Sequence, residues 1–238
     1  MATSLLNDLK KNAPLLSVGV MSADLMRLSE QLAVLSECGV RLLHFDIMDG
    51  CFCPQLTAGP FFVKGIKTKA LKDVHLMVEN PVLFIPEFAA AGADLITVHA
   101  ESGRHVHRAL QLIAEQKNAN APDRPILRGI AINPGTPLTA LEPFLYETDM
   151  VFLVAVNPGF PKQRFIDATN ERCRSLKSML ASARKNPLIG IDGGITRDNV
   201  GAVSALGPDI IVTGSAVFEG GRIKENLESM QQRINAYE

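Results

Sequence analysis

The chain has 238 residues, is 47% hydrophobic and 21% charged, and carries a net charge of −1. That composition excludes a disordered polymer, and the near-neutral balance gives no electrostatic reason to expect nucleic acid or an anionic membrane as partner. The four cysteines, Cys38, Cys51, Cys53 and Cys173, include no Cys-x-x-Cys pair and nothing at the start resembles a secretory signal, so a reduced, cytoplasmic setting is expected.

Thr3 to Lys11 reads as a short amphipathic helix, too short and too charged to span a membrane. Leu15 to Met21 reads as strand one, and Ser22-Ala23-Asp24 caps a helix through about Cys38. Strand two runs from Arg41 to Met48, followed after a Pro- and Gly-bearing loop by a short helix over Phe61–Ala70. Lys72–Val78 is strand three, with a helix from Pro81 to about Gly92. Asp94–His99 is strand four, with a helix from about Gly103 to Lys117. Ile126–Asn133 and Asp149–Val156 are strands five and six, separated by a helix after Pro137 and followed by a long one from about Asp167 to Lys185. Pro187–Asp192 and Asp209–Thr213 are strands seven and eight, with helices over Thr196–Leu206 and about Ile223–Ala236.

No composition break divides the chain, so residues 1–238 are expected to form one α/β domain. Strands such as Asp94-Leu95-Ile96-Thr97-Val98 are apolar on both faces, as strands of a parallel sheet covered on both sides must be. An open doubly wound sheet would call for a Gly-rich phosphate loop after strand one, where Met21-Ser22-Ala23-Asp24 stands instead. A closed (β/α)8 TIM barrel of the phosphate-binding type is the better fit, with its site where strands end and helices begin.

The unusual polar residues fall at those strand ends. His44, Asp46 and Met48 alternate onto one face of strand two, His75 ends strand three, and Asp192 ends strand seven. Two imidazoles and two carboxylates suit one divalent Zn, Fe(II), Mn or Co ion better than calcium or Cu(I). Such an ion would polarise a ketone and stabilise the enediolate left when a neighbouring C–H proton is removed. Asp46 and Asp192 would be the acid and base on the two faces of that intermediate. Gly193-Gly194 and Gly214-Ser215, after strands seven and eight, stand at the usual phosphate position of such barrels, or simply make tight turns. Met48 and Met77, with Asn157, Gly159 and Lys162 of the strand-six loop, complete the candidate substrate shell. His99 and Glu101 lie on the same rim, either orienting ligands from behind or only ending a strand.

These residues, in this order, resemble the ribulose-phosphate 3-epimerase family. The resemblance runs from Met21-Ser22-Ala23-Asp24 to Gly214-Ser215-Ala216-Val217-Phe218. It takes in His44-Phe45-Asp46-Ile47-Met48-Asp49-Gly50, His75-Leu76-Met77-Val78, Asn133-Pro134-Gly135-Thr136-Pro137, Val156-Asn157-Pro158-Gly159-Phe160 and Ile191-Asp192-Gly193-Gly194-Ile195. It implies a barrel that interconverts D-ribulose 5-phosphate and D-xylulose 5-phosphate, with a metal on His44, Asp46, His75 and Asp192 and the two aspartates as catalytic pair. A cytosolic homo-oligomer acting on a small sugar phosphate is the corresponding expectation. The chain departs from the family pattern at Gly19, where Ser is usual, at Cys51-Phe52-Cys53-Pro54-Gln55, at Val154-Ala155, and at Pro161-Lys162, where Gly-Gly is usual. A proline there fixes φ and deletes an N–H donor, and Lys162 either replaces it with a charge or is simply solvated.

These changes to the substrate shell raise two alternatives: an epimerase for a six-carbon ketose 6-phosphate, and a sugar-phosphate binder that has lost turnover. A decarboxylase of the orotidine monophosphate type would need Asp-x-Lys-x-x-Asp at a strand end, which is absent.

Overall fold

Branched and leucine side chains on both faces of each strand require two covers, and a closed parallel sheet supplies both: its own interior and a ring of helices. The computed structural model describes residues 2–160 and 163–236. Eight parallel strands close into a barrel in sequence order. They are β1 (Leu15–Gly19), β2 (Leu42–Met48), β3 (Leu71–Met77), β4 (Leu95–His99), β5 (Leu127–Ile132), β6 (Met150–Val154), β7 (Leu188–Asp192) and β8 (Ile210–Thr213). The helices are α1 (Ala2–Lys11), α2 (Leu28–Glu37), α3 (Pro60–Gly65), α4 (Ile85–Ala90), α5 (Val106–Glu115), α6 (Ala168–Ser182), α7 (Val200–Ser204), α8 (Ser215–Phe218) and α9 (Ile223–Asn235). Among the described residues, no helix is long and apolar enough to cross a membrane.

Several elements end earlier than the apolar pattern suggests, each for a local reason. The backbone turns at the end of β1 into a 3-10 turn, Val20–Ser22, so Met21 and Ser22 leave the strand and line the cavity above it. Asp24 is the helix cap expected at that point. Its side chain accepts from the Met26 N–H at 3.0 Å, at the start of a 3-10 turn that leads into α2. The helix expected over Phe61–Ala70 stops at Gly65, and farther along the Thr68 hydroxyl accepts from the Ala70 N–H at 3.0 Å, an alternative to helical pairing. The segment Leu138–Phe144 is 3-10 throughout and contains Pro143, which has no N–H to give. The short α8, directly after β8, was not indicated by periodicity.

Alternation sorts the side chains into two cores. Phe45, Ile47, Val74, Leu76, Ile96 and Val98 point outward and pack under the helices. Leu42, Leu95, Leu127, Met150, Leu188 and Ile210 point inward and meet Leu5 and Leu9 of α1. The N-terminal helix therefore plugs the barrel with its apolar face. Higher in the interior, Phe152 is fully buried, and a Cβ at Gly190 would meet its ring at 2.5 Å, so only glycine fits on the adjoining strand. The strand register puts Asp46 beside His75 and His44 beside Asp73 on β2 and β3, and sets Asp192 beside Val154 on β7 and β6.

Leu9 is fully buried in that plug. Leu9→Ala is expected to destabilise the fold by about 2–5 kcal/mol, the range for a buried leucine leaving a cavity. Urea unfolding measures it; an unchanged midpoint would show that α1 contributes nothing to the barrel.

Candidate active site

The inward residues at the strand C-termini form the floor of a cavity of about 440 Å³. His44 and His75 are fully buried there, and Asp46 and Asp192 reach the cavity surface. One donor atom from each of His44, Asp46, His75 and Asp192 lies within 4.8 Å of the others. His44 Nε2 is 3.2 Å from Asp46 Oδ1 and 4.0 Å from Asp192 Oδ2. His75 Nδ1 is 3.5 Å from Asp46 Oδ1 and 3.6 Å from Asp192 Oδ2. It is nevertheless buried without a hydrogen-bond partner among the described residues. An orphaned ring nitrogen aimed between two carboxylates is a poor arrangement for the protein alone and a good one around a cation. Two nitrogen and two oxygen donors fit a divalent first-row ion.

The surroundings aim these groups. On the far side of its ring, His44 Nδ1 lies 2.7 Å from Asp73 Oδ2, which also accepts from the Ser17 hydroxyl at 3.0 Å. The Asp73 carboxylate accepts a hydrogen bond from Nδ1–H, which leaves Nε2 as the lone-pair atom facing Asp46. Phe152 lies beneath both imidazoles, with ring centroids 5.8 Å from His44 and 5.7 Å from His75. Behind His75 stands His99, also fully buried, and behind that Glu101.

Burial alone would lower the His44 and His75 imidazoles. Asp73 and Asp46 outweigh it at His44, Asp192 and Asp46 outweigh it at His75, and both are held above their ordinary value. Burial raises the Asp46 carboxyl, but His44 and His75 outweigh that and hold it well below the usual carboxylate range. His99 behaves oppositely: burial pushes it down to about 4, so it is a neutral imidazole. Burial raises Glu101, but the hydrogen bond with His99 helps bring it to about 2.

Two loops complete the wall. Thr57 donates to the Asp46 carbonyl at 2.6 Å and accepts from the Met48 N–H at 2.9 Å, closing the loop after β2 against its own strand. Asp49 accepts from the N–H groups of Cys51 and Phe52, both at 2.9 Å, and of Glu79 at 2.7 Å, which joins the loop after β2 to the one after β3. Burial raises its carboxyl, but those donors outweigh it and hold it below the ordinary value. Across the cavity the Gln163 amide donates to the Phe160 carbonyl at 2.8 Å and accepts from the Asn157 N–H at 3.0 Å, folding the loop after β6 back on itself.

Met48, Met77, Asn157, Gly159, Gly193, Gly194, Gly214 and Ser215 all line this one cavity. Gly193 and Gly194 have φ of 108° and 67°, a turn that other residues adopt with strain. Lys162 lies outside the described residues. Asp73, Ser17 and Phe152 were missed from the pattern of strand ends because they lie deeper in the barrel. Asp73 carried a signal nonetheless: it stands two residues before His75, on the same face of β3.

The arrangement has relatives. A profile of the ribulose-phosphate 3 epimerase family matches residues 15–218. The chain belongs to the ribulose-phosphate 3-epimerase family. It is 43% identical over 219 residues to ribulose-phosphate 3-epimerase of Aquifex aeolicus, covering 91% of this chain and 95% of that one. Against the Escherichia coli K12 enzyme of the same name it is 35% identical over 223 residues, covering 92% and 96%. By family it is an isomerase, an epimerase. Solved barrels share the fold alone. The 3-hexulose-6-phosphate synthase of Salmonella typhimurium superposes with a TM-score of 0.65 at 16% identity, over 94% of this chain and 99% of that one. The 3-keto-L-gulonate-6-phosphate decarboxylase of Vibrio cholerae gives 0.64 at 13%, again over 94% and 99%.

The neighbouring carboxylates favour the protonated form of both site imidazoles of this epimerase. A ligating imidazole must give up the proton on its donor nitrogen. Zinc uptake is therefore expected to release protons and to tighten as pH rises above the ordinary imidazole range. Calorimetry in buffers of different ionisation enthalpy reads both, and pH-independent uptake without proton release would contradict this charge arrangement.

Proposed function

We propose that this family member inverts the carbon beside the ketone of a phosphorylated 2-ketose, interconverting D-ribulose 5-phosphate and D-xylulose 5-phosphate. The observation that carries the reading is the convergence of His44, Asp46, His75 and Asp192 within 4.8 Å at the floor of the cavity. A divalent ion held by those four would polarise the ketone and stabilise the charge of the enediolate. Asp46 and Asp192 do the proton work. They come from β2 and β7, with β1 and β8 between them, so they approach a planar intermediate from different walls. One removes the C3 proton and the other returns one to the opposite face. Ionisation of Asp46, favoured by the neighbouring imidazoles, suits it to begin as base in one direction.

Gly193, Gly194, Gly214 and Ser215 hold the phosphate at the ends of β7 and β8, where backbone can approach an anion closely. Met48 and Met77 give the reacting carbons an apolar wall that keeps water from the intermediate. Asn157 and Gly159 bring the loop after β6 against the substrate.

Exchange of the C3 proton of ribulose 5-phosphate in deuterated water tests this directly. Asp192→Asn is expected to lower exchange and turnover by about 10²–10⁴-fold, the usual contribution of a positioned acid or base. A chelator should remove activity and a divalent ion restore it. Exchange that survives both Asp46→Asn and Asp192→Asn would sink the two-aspartate reading. A six-carbon 2-ketose 6-phosphate turned over faster than the pentose would reassign the substrate.

A further inference from the structure

Resting on that metal reading, we infer that His99 and Glu101 are positioning residues that set which nitrogen of His75 is free to bind the ion. The argument is geometric. The rings of His75 and His99 lie within 10° of parallel with centroids 4.9 Å apart, and their Nε2 atoms are 2.8 Å apart. They therefore meet edge to edge, nitrogen to nitrogen. One hydrogen fits in that gap, and a second would clash, so one ring donates and the other accepts.

Glu101 decides which. Its Oε2 lies 3.2 Å from His99 Nδ1, while its Oε1 accepts from the Asn133 N–H at 2.8 Å. A carboxylate is an acceptor, so the His99 hydrogen belongs on Nδ1. His99 Nε2 is then a lone pair, and the shared hydrogen belongs to His75 Nε2. That leaves the lone pair of His75 on Nδ1, the nitrogen that faces Asp46 and Asp192 and has no partner of its own. With the opposite assignment, His99 would turn a lone pair toward the Glu101 carboxylate and His75 would place a hydrogen where the ion belongs.

The relay thus runs Asn133 N–H to Glu101, His99 N–H to Glu101, and His75 N–H to His99. It does for His75 what Asp73 does directly for His44, but through an intervening ring. The ring of Phe52, 4.6 Å from that of His99, holds the middle member in place from the loop after β2.

The test uses three variants of the full chain. His99→Phe keeps a ring but removes the acceptor, His99→Gln restores an acceptor oxygen, and Glu101→Gln removes the charge that orients His99. His99→Phe is expected to weaken zinc binding by about 10–100-fold, as outer partners of metal-bound histidines do, and Glu101→Gln by less. His99→Gln should recover most of the loss. Zinc affinity is measured by chelator competition, with thermal unfolding reporting that each variant is folded. Nitrogen-15 NMR of histidine side chains reads the assignment itself, both zinc-loaded and metal-free at a pH where the imidazoles are neutral. The shared hydrogen should be found on His75 Nε2. A hydrogen on His99 Nε2, or zinc affinity equal in folded His99→Phe and the unsubstituted chain, would overturn the inference. If the unsubstituted chain took up no zinc, the metal reading would fail on that result alone, while the metal-free spectrum would still decide the nitrogen assignment.

Discussion

Two carboxylates pressed together beside two fully buried imidazoles are the constraint around which the upper half of this barrel is arranged. Like charges in a poorly solvated hollow repel, and the protein has two ways to satisfy them: protons on the imidazoles or a cation between all four groups. The raised His44 and His75 imidazoles express the first solution. The orphaned His75 Nδ1 is what the second would use. Each imidazole is held on its far side, His44 by Asp73 and His75 by His99.

That rigidity comes from where the residues sit. All four belong to strands, not loops, and their neighbours in register are themselves structural parts of the site: His44 faces Asp73 across the β2–β3 ladder, and Asp46 faces His75. Below them Phe152 fills the barrel under both imidazoles, and Gly190 makes room for its ring. Packing of the apolar interior and placement of the four clustered donor groups are thus one problem, solved by the same strands. The loops above have a different task. They carry Asn157, Gly159, Gly193 and Gly194 around the cavity, and they hold the departures from the family pattern at 51–55 and 161–162, while those at Gly19 and Val154 fall at strand ends.

The closed barrel could be read from the sequence because its signal is repeated: eight apolar runs, each followed by an amphipathic stretch, with the polar exceptions gathered at strand ends. His44, Asp46, His75 and Asp192 were legible for the same reason. Residues whose roles depend on contacts across the barrel were not. Asp73 reads as one more charge beside Lys72, yet the two point to opposite faces. Lys72 Nζ donates outward to the Val63 carbonyl at 2.5 Å and the Ala91 carbonyl at 3.2 Å, while Asp73 turns inward to His44. Nothing local marks Phe152 as the support beneath two imidazoles. His99 left two readings open, and its edge-to-edge contact with His75 favours an orienting role over a simple strand end. The short 3-10 turns were hidden because they follow from single hydrogen bonds, such as Asp24 to the Met26 N–H, too brief to leave a periodic trace.

Asp49 has a bearing on how such an enzyme can be remodelled. Because one carboxylate gathers N–H groups from two successive crossovers, 51–52 on one side and 79 on the other, those crossovers share an anchor. Transplanting the second alone would lose the Glu79 donor, and transplanting the first alone would put the Asp49 carboxylate itself at stake. The two crossovers are tied as a pair, so replacing both together keeps the anchor that replacing one would lose.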